Sequence, residues 1–329
     1  MPKVNVMDIL RFIKNWTLPL AMGTGAAVYL IFAFVPALDG AARFFAPICD
    51  AIMPLFMFLI LFVTFCKVDF RALRPVAWHW WVTLFNLIFI LICMGLVLGF
   101  HLQGDSLVLV EAILMCIISP GATASAVVTQ KLGGSLEETT THTFLSNFIT
   151  VLLVPICFPM LEGGHNVSFL SAFLAILYKV AIILLLPMLL AYIVKHTPLL
   201  HRFHLWVISV RDLSFYLWAA SLLIVTGTTV KNIVHAQTTP WLLLAIALLG
   251  LVLCVIQFAV GKYIGHFFHR VIEAGQALGQ KNTAFAIWMA YTFLNPLSSV
   301  GPGCYILWQN IINSFEIWQK RKTDGLRPS

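Results

Sequence analysis

The sequence predicts an all-α integral membrane protein with ten transmembrane helices in two inverted five-helix repeats. Three observations carry this: a composition unsuited to water, ten apolar runs of spanning length, and two matched helix breaks half a chain apart. Of 329 residues, 60% are apolar and 10% are charged, with a mean hydropathy of +0.94. A soluble domain carries about 25% charged residues. An apolar excess of this size does not fit inside a core that still needs a polar shell, so lipid must solvate it. This excludes a soluble enzyme, a nucleic-acid module and a disordered tail. The net charge of +7 does not point to nucleic acid, because the basic residues fall in short loops between apolar runs.

A crossing takes roughly 20 apolar residues. Runs at 16–38, 46–66, 79–100, 107–132, 138–161, 169–194, 207–230, 240–263, 268–294 and 297–318 meet that need. The segment before them, Met1 to Trp16, is basic and amphipathic and lacks a signal-peptide core with a small-residue cleavage site. The first run is long enough to stay in the membrane. The fourth and ninth exceed one crossing and are interrupted by polar residues and glycine. Orientation follows from Lys and Arg in the loops. Lys3, Arg11, Lys14, Lys67, Arg71, Arg74, Lys131, Lys195, Arg202, Lys262, Arg270, Lys320, Arg321, Lys322 and Arg327 fall on one side, against Arg43 and Lys231 on the other. Both termini are therefore expected in the cytoplasm, with the chain in the plasma (inner) membrane. The sequon Asn166-Val167-Ser168 falls in an outside loop. The seven cysteines are scattered without a CxxC pair and read as small core residues.

The first break is Ser119-Pro120-Gly121-Ala122-Thr123-Ala124-Ser125, where Pro120 removes a backbone donor and Gly121 adds freedom. The second is Gly279-Gln280-Lys281-Asn282-Thr283. Ala122 and Asn282 are 160 positions apart, about half the chain. Each break falls in the fourth helix of a five-helix half. An odd helix count inverts the second half (residues 166–329) relative to the first (residues 1–165). Interrupted helices at matching positions of inverted halves point to a transporter's midplane site. The resumed half-helices offer free N–H groups and a positive dipole end, which suits anions.

These residues resemble the bile acid:sodium symporter family. The run Pro120 to Thr129 (PGATASAVVT) is similar to that family's PGGTASNVxT motif. Ala277 to Thr283 (ALGQKNT) resembles its later ExGxQN(S/T) motif, with Ala286 and Ala290 keeping the alanine spacing beyond it. Asp69-Phe70 and Pro75 match a weaker signature. The resemblance implies a panel domain and a core domain, with the two broken helices crossing in the core. It also implies transport of organic anions with sodium.

The sequence departs from the family at the ion ligands. Hard cations want oxygen ligands, a carboxylate most of all. The resemblance carries Ser125, Thr139 and Thr143 over as a weak residual sodium site. The motif Asn is replaced by Ala126, the sodium-binding Glu aligns with Ala277, and a Gln aligns with Lys281. A second cation about 4 Å from a lysine would be repelled by several kcal/mol at an effective dielectric near 20. Lys281 is therefore expected to stand in for an ion, either as a fixed charge holding an anionic substrate or as a titrating group coupling transport to protons. A second alignment places Glu273 at the carboxylate position and restores a sodium-coupled symporter. The expected substrate-binding residues are Ala122, Thr123, Lys281 and Asn282. No cofactor is expected beyond a sodium ion or protons.

Other polar residues carry structural readings. Ser135 to Glu138 reads as a capping box. Lys179 reads as a snorkelling side chain, and Asp212 beside Arg211 as a local ion pair. Asn147, Gln309, Asn310 and Asn313 read as packing contacts. His142, one turn from Thr139, reads as a core residue or a proton site. No GxxxxGK[ST], HExxH or GxSxG is present, so neither P-loop ATP hydrolysis nor those enzyme classes are supported. The sequence leads to a secondary transporter of small organic anions in contact with membrane lipid. The alternative is a channel or non-transporting sensor that keeps the fold. Substrate identity, direction and oligomeric state are not encoded in readable form.

Overall fold

A computed structural model of the chain describes residues 17–162, 168–210, 213–236 and 238–325. It is all-helical, and among the described residues the only extended pairing is an isolated bridge between Gly121 and Lys281. The helices are α1 (Thr17–Phe34), α2 (Asp39–Lys67), α3 (Ala77–Phe100), α4 (Gly104–Ile118), α5 (Thr123–Leu132), α6 (Leu136–Glu162) and α7 (Phe169–Leu184). After these come α8 (Leu186–His196), α9 (His201–Ser209), α10 (Leu213–Val234), α11 (Pro240–Phe267), α12 (Val271–Gly279), α13 (Thr283–Phe293) and α14 (Val300–Gly325). Lys3, Arg11, Lys14, Asn166, Val167, Arg211, Asp212 and Arg327 lie outside the described residues.

Among the described residues, six stretches are long and apolar enough to cross a membrane: Pro36–Lys67, Ala77–Phe100, Leu136–Leu161, Phe169–His196, Tyr216–Val234 and Pro240–Phe267. The described parts of the ten apolar runs are largely helical, but the count by length differs for physical reasons. The fourth and ninth runs are each split into two short helices, α4–α5 and α12–α13. The apolar part of α1 is short, and α14 carries a polar tail. The sixth run is interrupted at Leu185 between α7 and α8, where Pro187 in the first turn of α8 has no N–H to give.

The helices pack as two sets. In one, α1 lies on α10, α10 on α2, and α2 on α7 and α8. Gly25 faces the backbone of Leu223 so closely that a Cβ would overlap its carbonyl oxygen, and Gly227 approaches Gly25 from the other side. Small residues let membrane helices touch at the backbone, where packing rather than hydrophobicity holds them. In the other set, α11 packs on α12, α14 and α4, while α5 packs on α6 and α12. The sets meet where α10 touches α13 and α14, where α2 touches α13, and through α6 and α7. Large apolar side chains such as Leu91, Leu152, Leu170 and Val252 stay exposed on the outer faces, as lipid solvation requires.

The basic end is tied by its cations. Lys67 Nζ donates to the Val210 carbonyl at 3.0 Å and Lys195 Nζ to the Val68 carbonyl at 2.7 Å. Ser135 Oγ accepts from the Glu138 N–H at 3.2 Å, which is half of the expected capping box. The other half is corrected. The Glu138 carboxylate turns away to accept from Arg270 Nε at 2.9 and 3.0 Å and from Trp78 Nε1 at 2.9 Å. A partly buried carboxylate gains more from charge-assisted donors than from one backbone N–H. In turn, Glu138 holds the Arg270 guanidinium above its ordinary range. Lys179 lies 5.0 Å from the Phe293 ring centroid, a cation–π contact rather than free reach to water. None of the seven cysteines forms a disulfide, and five are buried.

Candidate functional site

Breaking a helix at membrane depth strands backbone N–H and C=O groups that lipid cannot satisfy. Here the two breaks satisfy each other. The Ala122 N–H donates to the Gln280 carbonyl at 2.9 Å, and the Asn282 N–H donates to the Pro120 carbonyl at 2.8 Å. Neighbouring helices serve the remaining groups. Gly121 N–H donates to Ser146 Oγ on α6 at 3.0 Å, and Lys281 N–H donates to Gln309 Oε1 on α14 at 3.0 Å. Tyr305 Oη, also on α14, donates to the Gly279 carbonyl at 2.7 Å. Gln309 therefore does more than pack, since it holds the second break open.

Two helices restart from this junction. Asn282 caps α13, its Oδ1 accepting from the Phe285 N–H at 3.2 Å. Ala122, at the N-cap of α5, provides no side-chain acceptor, so that helix start keeps donors to spare. Both starts face one cavity. Ala122, Thr123, Ala124, Lys281, Asn282, Thr283 and Gln309 line it from one helix set, and Met57, Ile60, Leu61 and Trp218 from the other. The lining is thus polar and N–H-rich on one wall and apolar on the opposite wall.

The expected substrate residues Ala122, Thr123, Lys281 and Asn282 come together at this cavity. The expected cation residues divide. Ser125 Oγ and Thr143 Oγ1 both donate to the Ala122 carbonyl, at 2.7 and 3.5 Å. Thr139 Oγ1 sits further along α6, donating to the Ser135 carbonyl at 3.1 Å with Thr129 Oγ1 at 3.3 Å. Glu273 lies at the start of α12, two turns before the break, where its Oε1 accepts from the Ser135 N–H at 2.9 Å. Among the described residues no group of three His, Cys, Asp or Glu side chains is placed to hold a metal. His142 stacks on the Trp78 indole with centroids 5.7 Å apart, and its Nδ1 has no hydrogen-bond partner among the described residues.

Lys281 is 2% exposed. Its Nζ donates to Asn86 Oδ1 on α3 at 3.2 Å and to the Ile117 carbonyl on α4 at 3.0 Å. Both are neutral oxygens, the donor type that a hard cation takes. The role of Asn86 escaped the sequence reading. Its signal was a lone amide in the third apolar run, which is costly at that depth unless paired.

Exposed apolar flanks, helices of spanning length and irregular backbone confined to a protein-lined centre define a polytopic integral membrane protein with a polar central site. The model of the Sodium Bile acid symporter family matches residues 54–236, more than half of the chain, and the chain belongs to that family. It is a membrane transporter and not an enzyme. The matched stretch contains the first break and stops before the second. No curated protein matches the chain.

Proposed function

We propose that the protein is a secondary transporter of small organic anions in which the Lys281 ammonium takes the place of a coupling cation. One observation carries this. Two helix N-termini, Thr123–Ala124 and Thr283–Ala284, and the polar residues Lys281 and Asn282 line a single cavity whose far wall is apolar. N-terminal dipoles and unused N–H groups favour a carboxylate or similar anion. The Met57, Ile60, Leu61 and Trp218 wall suits an apolar body, as in a bile-acid-like molecule. The neutral oxygens around Lys281 Nζ support the stand-in reading, because an ammonium there satisfies the set that a sodium ion would otherwise fill.

The architecture that goes with this function has ten crossings in two inverted repeats, residues 1–165 and 166–329. The set containing α1, α2, α7, α8, α9 and α10 is the panel, and the rest is the core. Alternating access is a rocking of one against the other around the crossing. Ser125, Thr139 and Thr143 form at most a residual sodium site, and both termini face the cytoplasm.

The test is uptake into proteoliposomes of a bile acid, a keto acid and a hydroxy acid, with sodium and pH varied independently. Uptake of at least one of them is expected to saturate, to ignore sodium and to fall at least tenfold in Lys281→Gln. A steep rise with sodium would overturn the stand-in role and make Glu273 the residue to substitute next.

A further inference from the structure

We propose that the space between α2, α10 and α13 is a second binding site for amphipathic organic anions, with Lys231 as the cation that holds the acidic group. Its walls are Met53 of α2, Thr228 of α10, and Ile287, Trp288, Tyr291 and Thr292 of α13. None of these residues lines the central cavity. Yet the two spaces follow the same helices. Met53 is four residues from Met57 on α2, and Ile287 is four from Thr283 on α13, a step of one turn or roughly 6 Å. Lys231 lies one turn past Thr228 on α10. It is half-buried, and its Nζ is 6.0 Å from the centroid of the Tyr291 ring.

The charge of Lys231 names the ligand. Among the described residues the ion pairs are Lys262 with Glu316 and Arg270 with Glu138, so Lys231 has no acid there. An aromatic face offsets only part of the cost of a half-buried ammonium. An incoming carboxylate or sulfonate completes the pair and gains a charge-assisted hydrogen bond. Tyr291 adds a hydroxyl to the lining as a second donor. A metal cation is repelled by the same lysine, and a neutral solute leaves it unpaired. Away from the charge the lining is apolar. Met53 and Ile287 are buried, and Trp288 is braced by Phe285 and Phe293, with ring centroids 6.2 and 6.1 Å away. An aromatic surface already held in place receives an apolar body at little further cost in side-chain entropy.

The lysine is held where it is by its neighbours. Next to it, Asn232 Nδ2 donates to Ser299 Oγ at 2.7 Å, and a Cβ on Gly303 would overlap Thr229. The Pro296–Ser299 turn and the start of α14 are thus wedged against the helix that carries Lys231. With both termini in the cytoplasm, as proposed above, this is the outer end of the seam. An anion arriving from outside then meets Lys231 before it reaches Lys281. The place of the site on a transport path rests on the carrier function proposed above, whereas its binding requires no transport.

The experiment is a titration followed by fluorine NMR. Thr292→Cys, at an exposed position on the rim, carries a trifluoroethyl thiol label in phosphatidylcholine nanodiscs. The wild-type chain, labelled alike, identifies signals from Cys49 and Cys304, the cysteines that are not buried. At about pH 7.5, where a carboxylate is ionised, hydrocinnamate should shift the rim signal saturably. Phenylpropanol, which has the same shape without the charge, should not. Lys231→Gln should weaken binding at least about tenfold. Lys231→Arg should keep it, and Lys281→Gln should leave it in place. The absence of a saturable shift overturns the proposal, as does an equal response to the alcohol or an unchanged affinity in Lys231→Gln. A response lost in Lys281→Gln but kept in Lys231→Gln also overturns it, because the label then reports the central cavity. Adding phosphatidylglycerol to the nanodiscs should not reproduce the shift; if it does, the space takes lipid and the proposal falls. An absent shift leaves the anion-carrier function standing, and absent uptake leaves the second site standing.

Discussion

Lys281 illustrates how a single side chain reshapes a site. Its two Nζ hydrogen bonds join the second break to α3 and α4. Hydrogen bonds to charged groups contribute about 1.5–3 kcal/mol each. Replacing Asn86 by Leu is therefore expected to destabilise the fold by about 2 kcal/mol, measured as a lower Tm in detergent. The double variant Asn86→Leu with Lys281→Met should lose less than the sum of the singles, because the two share one interaction. Strict additivity would show that the pair does not interact. The Glu138 cluster makes the opposite case. Its pair with Arg270 is partly exposed, with 43% and 19% of the two side chains accessible, so screening leaves the pair worth about 0–1 kcal/mol. Glu138 also accepts from the buried Trp78 indole, and an orphaned buried donor costs about 1–3 kcal/mol. Glu138→Ala should thus lower Tm more than Arg270→Ala. Equal losses would mean that the indole bond carries no weight.

Among the helices, the two breaks are alike in role but not in tolerance. Gly121 has room: a Cβ would meet Ser146 Oγ and Thr143 Oγ1 at 3.5 Å, ordinary van der Waals contact. Gly279 has none, because the buried Phe258 ring lies directly against its Cα. Gly279→Ala is expected to cost about 1–3 kcal/mol by overpacking, and Gly121→Ala less than about 0.5 kcal/mol. Thermal unfolding of the two variants checks this, and a larger loss at Gly121 would refute it. The contrast also shows what a sequence can reveal. The breaks themselves were legible, since Pro120-Gly121 and Gly279-Gln280-Lys281-Asn282 are local punctuation inside apolar runs. Their mutual hydrogen bonds obey the rule that buried backbone must be paired, but which groups pair was not legible. The tight glycine was not legible, because Phe258 belongs to another helix and nothing local marks it. Nor was the partner of Glu138, which lies 132 residues away. A local motif, Ser135 with Glu138, suggested a cap, and a distant arginine and tryptophan outbid it.

Across the whole molecule, the position of the cavity supports the proposed carrier reading over a channel. The pocket does not lie within either helix set but between them, with α2 and α10 on one wall and the two breaks on the other. A second space, lined by Met53, Thr228, Trp288 and Tyr291, lies between the same helices beyond it. Contacts between α10 and the start of α14 close that direction. A site at the seam of two bodies is exposed to one side or the other according to how they tilt, which is the geometry of a carrier. A channel would need an open path past Trp288 and the wedged turn at the same moment. Preloading proteoliposomes with unlabelled substrate should therefore accelerate uptake of labelled substrate, because the loaded carrier returns faster than the empty one. A variant that pins the two sets, Asn232→Cys with Ser299→Cys oxidised to a disulfide, should abolish this exchange, and reduction should restore it. Flux that neither saturates nor responds to preloading, and that survives the cross-link, would identify a pore.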